Sequence, residues 1–326
     1  MVATTYNDWS YSYENGQYCI TPPDKKITPN NLYKFYSLSE NSVDALTNLY
    51  LYASHSYQFN DPFDCNEKII EYSTWEDIEN LLDSKDLYDK LREKFHSLKD
   101  ACLWAQKAHW NILYRKLGLV SLTECIDNYQ MWAIYAQNNG FCLEFDINEF
   151  SFTHYGSFPI NYVNNITTPI QLSKYGGNLS MLIQTNIKNK WWKYENEWRL
   201  YIPNPSGSDF KLFGNKHDVN FYNFGNEHDR KIRYSFSALK SITLGPKFLE
   251  NLSLHTISDI EFDIECPTIM QNDLYHRVLN FISKISIRDN ITIRLASLAD
   301  FDHFNFMPIQ VFNYSEGKYR ILFKGK

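Results

Sequence analysis

The stretch WWKYENEWRLY, residues 191–201, sets two carboxylates and a guanidinium among five aromatic residues. At the two-residue period of a strand, Glu195, Glu197, Arg199 and Tyr201 share one face, and Asn196, Trp198, Leu200 and Ile202 share the other. The run that leads into it, TNIKNK, is lysine-rich and helical in pattern. A carboxylate beside Trp191, Trp192, Tyr194 and Trp198 is shielded from water, so it must be paired, hydrogen-bonded or protonated. Arg199 is the natural partner of Glu197 on the same face. Glu197 is then either half of a structural ion pair or an ionised group that faces a ligand. Glu195 is expected as a solvated member of a surface ion pair.

Two earlier segments also place polar groups among aromatics. In LYKFYS (32–37), Tyr33, Phe35 and Ser37 lie opposite Leu32, Lys34 and Tyr36. In YASHSYQFNDPFDC (52–65), Asn60-Asp61-Pro62 predicts an Asx turn directly after a strand. Its side chains either cap their own backbone or face a ligand, because loops after strands collect binding residues. In NYQMWAIYAQNNG (128–140), Trp132 and Tyr135 stand three apart and share a helix face, for core packing or for stacking on a planar ligand.

These residues need a scaffold of alternating elements. Residues 1–30 are polar and tyrosine-rich and read as an arm; residues 31–326 read as a single α+β domain. Strands are expected at 32–38, 50–56, 119–124, 141–147, 160–163, 241–244 and 292–298, with a final strand at 307–315. Ser39 is the expected N-cap of a helix over 39–49, and a helix over 128–139 ends at Gly140. Residues 66–118 carry the spacing of two or three helices, a helical insertion stopped by Gly118. A further helix enters the 171–190 region, with Gly176-Gly177 as a break, and another spans 274–285. Material around Phe221–Phe224 fits neither period.

Length and composition bound the rest. With 326 residues, 44% of them hydrophobic and 17% aromatic, there is ample material for a packed core. The net charge of −6 and the scattered basic residues do not describe a duplex-DNA binder. The six cysteines lie far apart with no CxxC pair, which favours free thiols in a reducing compartment, and the nine histidines stand singly, so no metal is assigned. No apolar run reaches the length of a spanning helix and the N-terminus has no signal-peptide pattern, so a cytoplasmic protein without a membrane partner is expected. P-loop, dinucleotide-fold, zincin and nucleophile-elbow motifs do not occur in the chain.

LYKFYSLSENSVDAL with YLYASHSYQFNDPFDC, LVSLTECIDNYQMWAIYAQNNGFCLEFD, WWKYENEWRLY and ALKSITLGP follow one another across about residues 32–246. In that order they resemble the bacterial family described as domain of unknown function 2971, and TIRLASL near 292 resembles its closing strand. More distantly, a basic first strand, a helix, a strand with a turn and a late acidic strand resemble the ADP-ribosyltransferase superfamily. That resemblance implies a mixed or antiparallel central sheet of the ADP-ribosyltransferase-like split kind, and NAD as a small-molecule nucleotide substrate. It implies that Lys34 or Tyr33 holds the nicotinamide ribose and that Tyr52 or Ser54 positions nicotinamide. Glu197 would stabilise the oxocarbenium-like state. Tyr52, Trp132 and Tyr135 would stack on the rings, and Asn60, Asp61 and Arg199 complete the binding set. The superfamily has His or Arg where this chain has Lys34, a point donor in place of a planar fork.

The expected function is an NAD-consuming ADP-ribosyltransferase or NAD glycohydrolase, a bacterial toxin or antiphage effector. Two alternatives stand beside it. One is a metal-dependent nuclease in which Asp61, Asp64, Glu195 and Glu197 gather a divalent ion. The other is a non-catalytic domain whose aromatic cleft senses a ligand or binds a partner.

Overall fold

The computed structural model describes residues 2–15, 17–55, 58–82, 85–165, 169–171, 175, 177–203, 230–266, 270–285, 291–299 and 303–324. Phe221–Phe224 lie outside the described residues. Among these residues the fold is α+β around an 11-stranded mixed sheet. From one edge to the other its strands are Ser253–Ser258, Glu261–Glu265, Lys318–Phe323, Phe304–Ser315, Thr292–Leu298, Leu239–Leu244, Phe141–Asp146, Asn31–Tyr36, Leu117–Thr123, Glu197–Pro203 and Gly156–Pro159. Leu239–Leu244 and Thr292–Leu298 run parallel, and the other neighbours in this sheet are antiparallel.

One face of the sheet carries the larger core. Trp198, Leu200 and Ile202 pack there with Leu32, Phe141, Leu143 and Phe145. Helix Glu40–Thr47 and helix Met270–Ile285 cover that face through Val43, Leu46, Tyr275, Val278 and Leu279. Ser39 caps the first of these helices in a full capping box, as its position before an apolar-periodic run predicts. On the opposite face Tyr201 packs with Leu179, Leu182 and Ile183 of helix Gly177–Asn186. The alternation of WRLYI is thus the alternation between two cores.

Residues 1–30, expected as an arm, contain a three-stranded antiparallel sheet, Val2–Tyr6, Trp9–Glu14 and Gln17–Thr21. Tyr11 anchors it. The ring is fully buried in the second core, and the hydroxyl donates to Asn186 Oδ1 at 2.9 Å and accepts from Asn161 Nδ2 at 3.2 Å. The insertion holds three helices, Trp75–Leu81, Lys85–Lys94 and Leu98–Lys116, around its own small core. Gly118 does not stop the last of them, since the chain is already in strand from Leu117. The strand over 307–315 is not the last, because Lys318–Phe323 turns back along it at Gly317.

The sheet is interrupted at one place. Strand Asn31–Tyr36 pairs along its whole length with Phe141–Asp146, but with Leu117–Thr123 it shares a single position, Tyr33 opposite Thr123. Ser54 takes up the start of Leu117–Thr123 instead, exchanging both backbone hydrogen bonds with Leu119 at 2.8 and 2.9 Å. The Lys34 ammonium donates to the Ser121 carbonyl at 3.0 Å, satisfying an acceptor that a regular ladder would have paired.

Candidate functional site

A cavity of about 150 Å³ opens at this interruption. Tyr33, Lys34 and Phe35 line it from one strand, and Ser121 and Leu122 from the other. Ser54, Gln58, Phe59, Asn60, Asp61 and Asp64 line it from the loop after Tyr50–Tyr52. Met131 and Tyr135 come from the helical turn that begins at Tyr129, and Lys188, Trp192, Glu195 and Glu197 from the segment read as WWKYENEWRLY and its approach.

That approach is neither one helix nor one strand. Helix Gly177–Asn186 gives way to a short strand, Ile187–Asn189, then to a 3-10 turn, Lys190–Glu195. Asn196 adopts the left-handed conformation (φ 43°), which asparagine tolerates better than most residues, and Glu197 opens the strand. Glu195 and Glu197 therefore meet because the chain turns between them, not because they alternate on a strand. The expectation of a solvated Glu195 is corrected. Glu195 is buried, Tyr135 donates its hydroxyl to Oε1, and the Lys188 ammonium donates to Oε2.

Lys188 joins the two carboxylates. Its ammonium also reaches Glu197 Oε2 at 3.0 Å and lies 3.8 Å from Asp64 Oδ2. Arg199, fully buried beneath the cavity, donates Nε to Glu197 Oε1 at 2.9 Å and forks both Nη atoms onto Asp64. Nη1 also donates to the Thr185 carbonyl at 2.6 Å, at the end of helix Gly177–Asn186. The Glu197 backbone N–H donates to the Tyr162 hydroxyl at 2.9 Å. The result is a buried lattice in which Lys188 and Arg199 stand between Asp64, Glu195 and Glu197.

The lattice treats its two glutamates differently. Burial alone would raise the Glu197 carboxyl, but Arg199 and Lys188, with a hydrogen bond from Ser121, outweigh it and hold the group well below the usual carboxylate range. Burial also raises Glu195. Lys188 opposes this, but the neighbouring Glu197 charge adds to burial, and the net displacement is upward. One carboxylate is fixed as an anion and the other has an increased affinity for a proton.

Lys34 carries a third displacement. Burial pushes its ammonium down to about 8, against the pull of the Glu197 carboxylate. The folded state therefore releases this proton before the unfolded chain does as pH rises. The charged form costs the fold stability below about 8, and the cost fades as pH climbs from there toward the ordinary value of 10.5. Lys34→Met removes this cost but leaves the Ser121 carbonyl without its donor, so it is expected to compare better with the wild type in melting temperature at pH 7 than at pH 9. A variant destabilised equally at both pH values would contradict this account.

Of the site residues expected from sequence, Tyr33, Lys34, Ser54, Asn60, Asp61, Tyr135 and Glu197 line this one cavity. Arg199 supports it from below. Tyr52 does not line it, and its hydroxyl accepts from Gln58 Nε2 at 3.3 Å, one residue removed from the wall. Trp132 does not either. Its indole is buried edge-on against Phe35 at 4.9 Å and donates to the Ile126 carbonyl at 2.8 Å, so the packing alternative describes it. The helix there closes at Ile134, and Tyr135, just past it, is the residue that turns to the cavity.

Sequence reading did not single out Lys188, Asp64 as the partner of Arg199, or Gln184. Gln184 donates to the carbonyls of Cys65 and Asn66 at 3.1 and 3.0 Å and meets the His109 ring at 3.1 Å, tying the Asp61–Asn66 loop to the helical insertion. Among the described residues, no helix is long and apolar enough to cross a membrane.

Fold and site together define an α+β protein with a charged, aromatic-walled cavity at a break in a mixed sheet. Residues 131–200, from the cavity helix to the strand of Glu197 and Arg199, match the family described as protein of unknown function (DUF2971). This is the family resemblance seen in the sequence, now placed on the segment that supplies Met131, Tyr135, Lys188, Trp192, Glu195 and Glu197. Neither a curated protein nor a solved structure matches the chain.

Proposed function

We propose that the cavity is the active site of an enzyme that breaks the glycosidic bond between nicotinamide and ribose, with NAD as substrate and an acceptor hydroxyl or water as the second reactant. One arrangement carries this reading: two buried carboxylates line the same cavity in unlike surroundings, Glu197 held by both Arg199 and Lys188, and Glu195 by Lys188 and the Tyr135 hydroxyl. A pair separated in this way divides into an electrostatic stabiliser and a proton acceptor. As nicotinamide leaves with the bonding electrons, positive charge develops on the ribose, and the anionic Glu197 stabilises it where water is excluded. Glu195, hydrogen-bonded to Tyr135, accepts the proton of the attacking hydroxyl. Lys34 and Tyr33 are placed to hold the ribose, and Ser54 to position nicotinamide.

The single pairing position between the strands of Lys34 and Ser121 supports an ADP-ribosyltransferase-like split sheet. Lys188 and Arg199 stand where a divalent ion would have to sit among Asp64, Glu195 and Glu197, which favours an organic substrate over the metal-dependent nuclease. An enzyme of this kind depletes NAD, the chemistry of a cytoplasmic toxin or antiphage effector. The test is nicotinamide release from NAD by the purified full chain. Release above the uncatalysed rate is expected, and a protein that neither binds nor cleaves NAD overturns the reading.

A further inference from the structure

Asp61 is a charged group without a full set of partners. It is 6% exposed and lines the cavity. Oδ1 accepts from the Phe63 backbone N–H at 2.9 Å, closing the Asx turn that the sequence predicts. Oδ2 is buried and has no hydrogen-bond partner among the described residues. A carboxylate oxygen left in that state is unfavourable for the fold, which makes it a natural acceptor for a ligand's N–H or O–H. The neighbouring anions differ: Asp64, Glu195 and Glu197 are all held by Lys188, Arg199 or both.

A complementary donor lines the same cavity from the strand side. The Lys34 ammonium has three N–H groups and gives one to the Ser121 carbonyl. The same lining includes the rings of Tyr33, Phe35, Phe59, Tyr135 and Trp192, and about 150 Å³ accepts one six-membered ring. An acceptor, a donor and aromatic faces in one cavity match a group that is planar and has both an N–H and a carbonyl.

We propose that Asp61 is the specificity residue for a planar aromatic primary carboxamide, its Oδ2 accepting an amide N–H while Lys34 donates to the amide carbonyl. This deepens the reading above and rests on it to the extent that nicotinamide is such a group. A carboxylate in place of the amide sets two acceptors against the Asp61 anion and is rejected, because it leaves a buried acceptor unpaired and adds like charge.

The test is calorimetric binding of nicotinamide and of nicotinate to the full chain. Nicotinamide binds, and nicotinate binds about tenfold more weakly or worse. Asp61→Asn, of the same shape but neutral and able to donate, erases that preference. Asp61→Ala weakens nicotinamide binding by about tenfold. Melting curves report whether each variant is folded, and nicotinamide raises the wild-type melting temperature where nicotinate does not, so the wild type alone can refute the idea. Equal binding of the two probes, no binding of either, or a preference unchanged in Asp61→Asn overturns it. An Asp61-dependent preference without NAD cleavage removes the catalytic reading and keeps the carboxamide site. NAD cleavage with a preference indifferent to Asp61 does the reverse.

Discussion

Arg199→Ala is expected to lower the unfolding free energy by about 3–5 kcal/mol, the loss typical of removing one partner from a buried ion pair. The guanidinium is fully buried and answers both Asp64 oxygens, Glu197 Oε1 and the Thr185 carbonyl. Without it, Lys188 is the cation left to two buried carboxylates, and it is already committed to Glu195 and sits 3.8 Å from Asp64. The helix Gly177–Asn186 also loses a cation at its C-terminal end. Arg199→Lys keeps the charge but not the fork, so its loss falls between wild type and alanine. The pH dependence has a definite sign. Glu197 has a folded pKa below its unfolded value of 4.5, so its contribution is present above 4.5 and is lost as pH falls from there toward the folded value. Urea unfolding at pH 7 and pH 3 checks both points: the gap between wild type and Arg199→Ala is wide at pH 7 and narrower at pH 3. Equal midpoints at pH 7 would show that the lattice adds nothing to stability.

How far the sequence reaches is clearest in the segment around Glu197. The alternation of Trp198, Leu200 and Ile202 against Arg199 and Tyr201 is a period-two signal, and the structure keeps it: the first set is in one core, and on the other face Tyr201 is in the second core with Arg199 buried near it. The Glu197–Arg199 contact follows from the same period. The break at Asn196 does not, because a left-handed residue leaves no periodic trace, and with it went the burial of Glu195. Lys188 was hidden for a similar reason. TNIKNK has the composition of a solvated helix, but Ile187–Asn189 forms a parallel pair with Asn161–Val163, and that pairing carries the ammonium inward. Asp64 meets Arg199 across 135 positions of chain, a contact fixed by the loop geometry after Ser54 and by Gln184, neither of which a local pattern encodes. Cavity residues on strands and turns with their own signature, Tyr33, Lys34, Asn60 and Asp61, were legible. Those that depend on how distant elements meet were not.

Glu197→Gln separates the roles of the two glutamates. The amide keeps the shape and leaves an acceptor for Arg199, Asp64 still holds the guanidinium, and Glu195 still holds Lys188, so the protein is expected to fold with a loss of about 1–3 kcal/mol. NAD turnover is expected to fall by about 10²–10³, the range for removing one preorganised electrostatic contact to a transition state. The loss should appear in kcat with little change in KM, because the ribose bears its positive charge only as nicotinamide leaves. On the proposed mechanism, Glu195→Gln keeps the Glu197 charge and removes the group assigned as proton acceptor. It should slow transfer to a hydroxyl or water by about 10²–10⁴ and flatten the limb of the pH profile that depends on an ionised Glu195. If the two variants gave the same kinetic change and the same pH profile, the opposite displacements of the two carboxylates would have no catalytic meaning, and the lattice would be a structural device that holds the Asp61–Asn66 loop against the sheet.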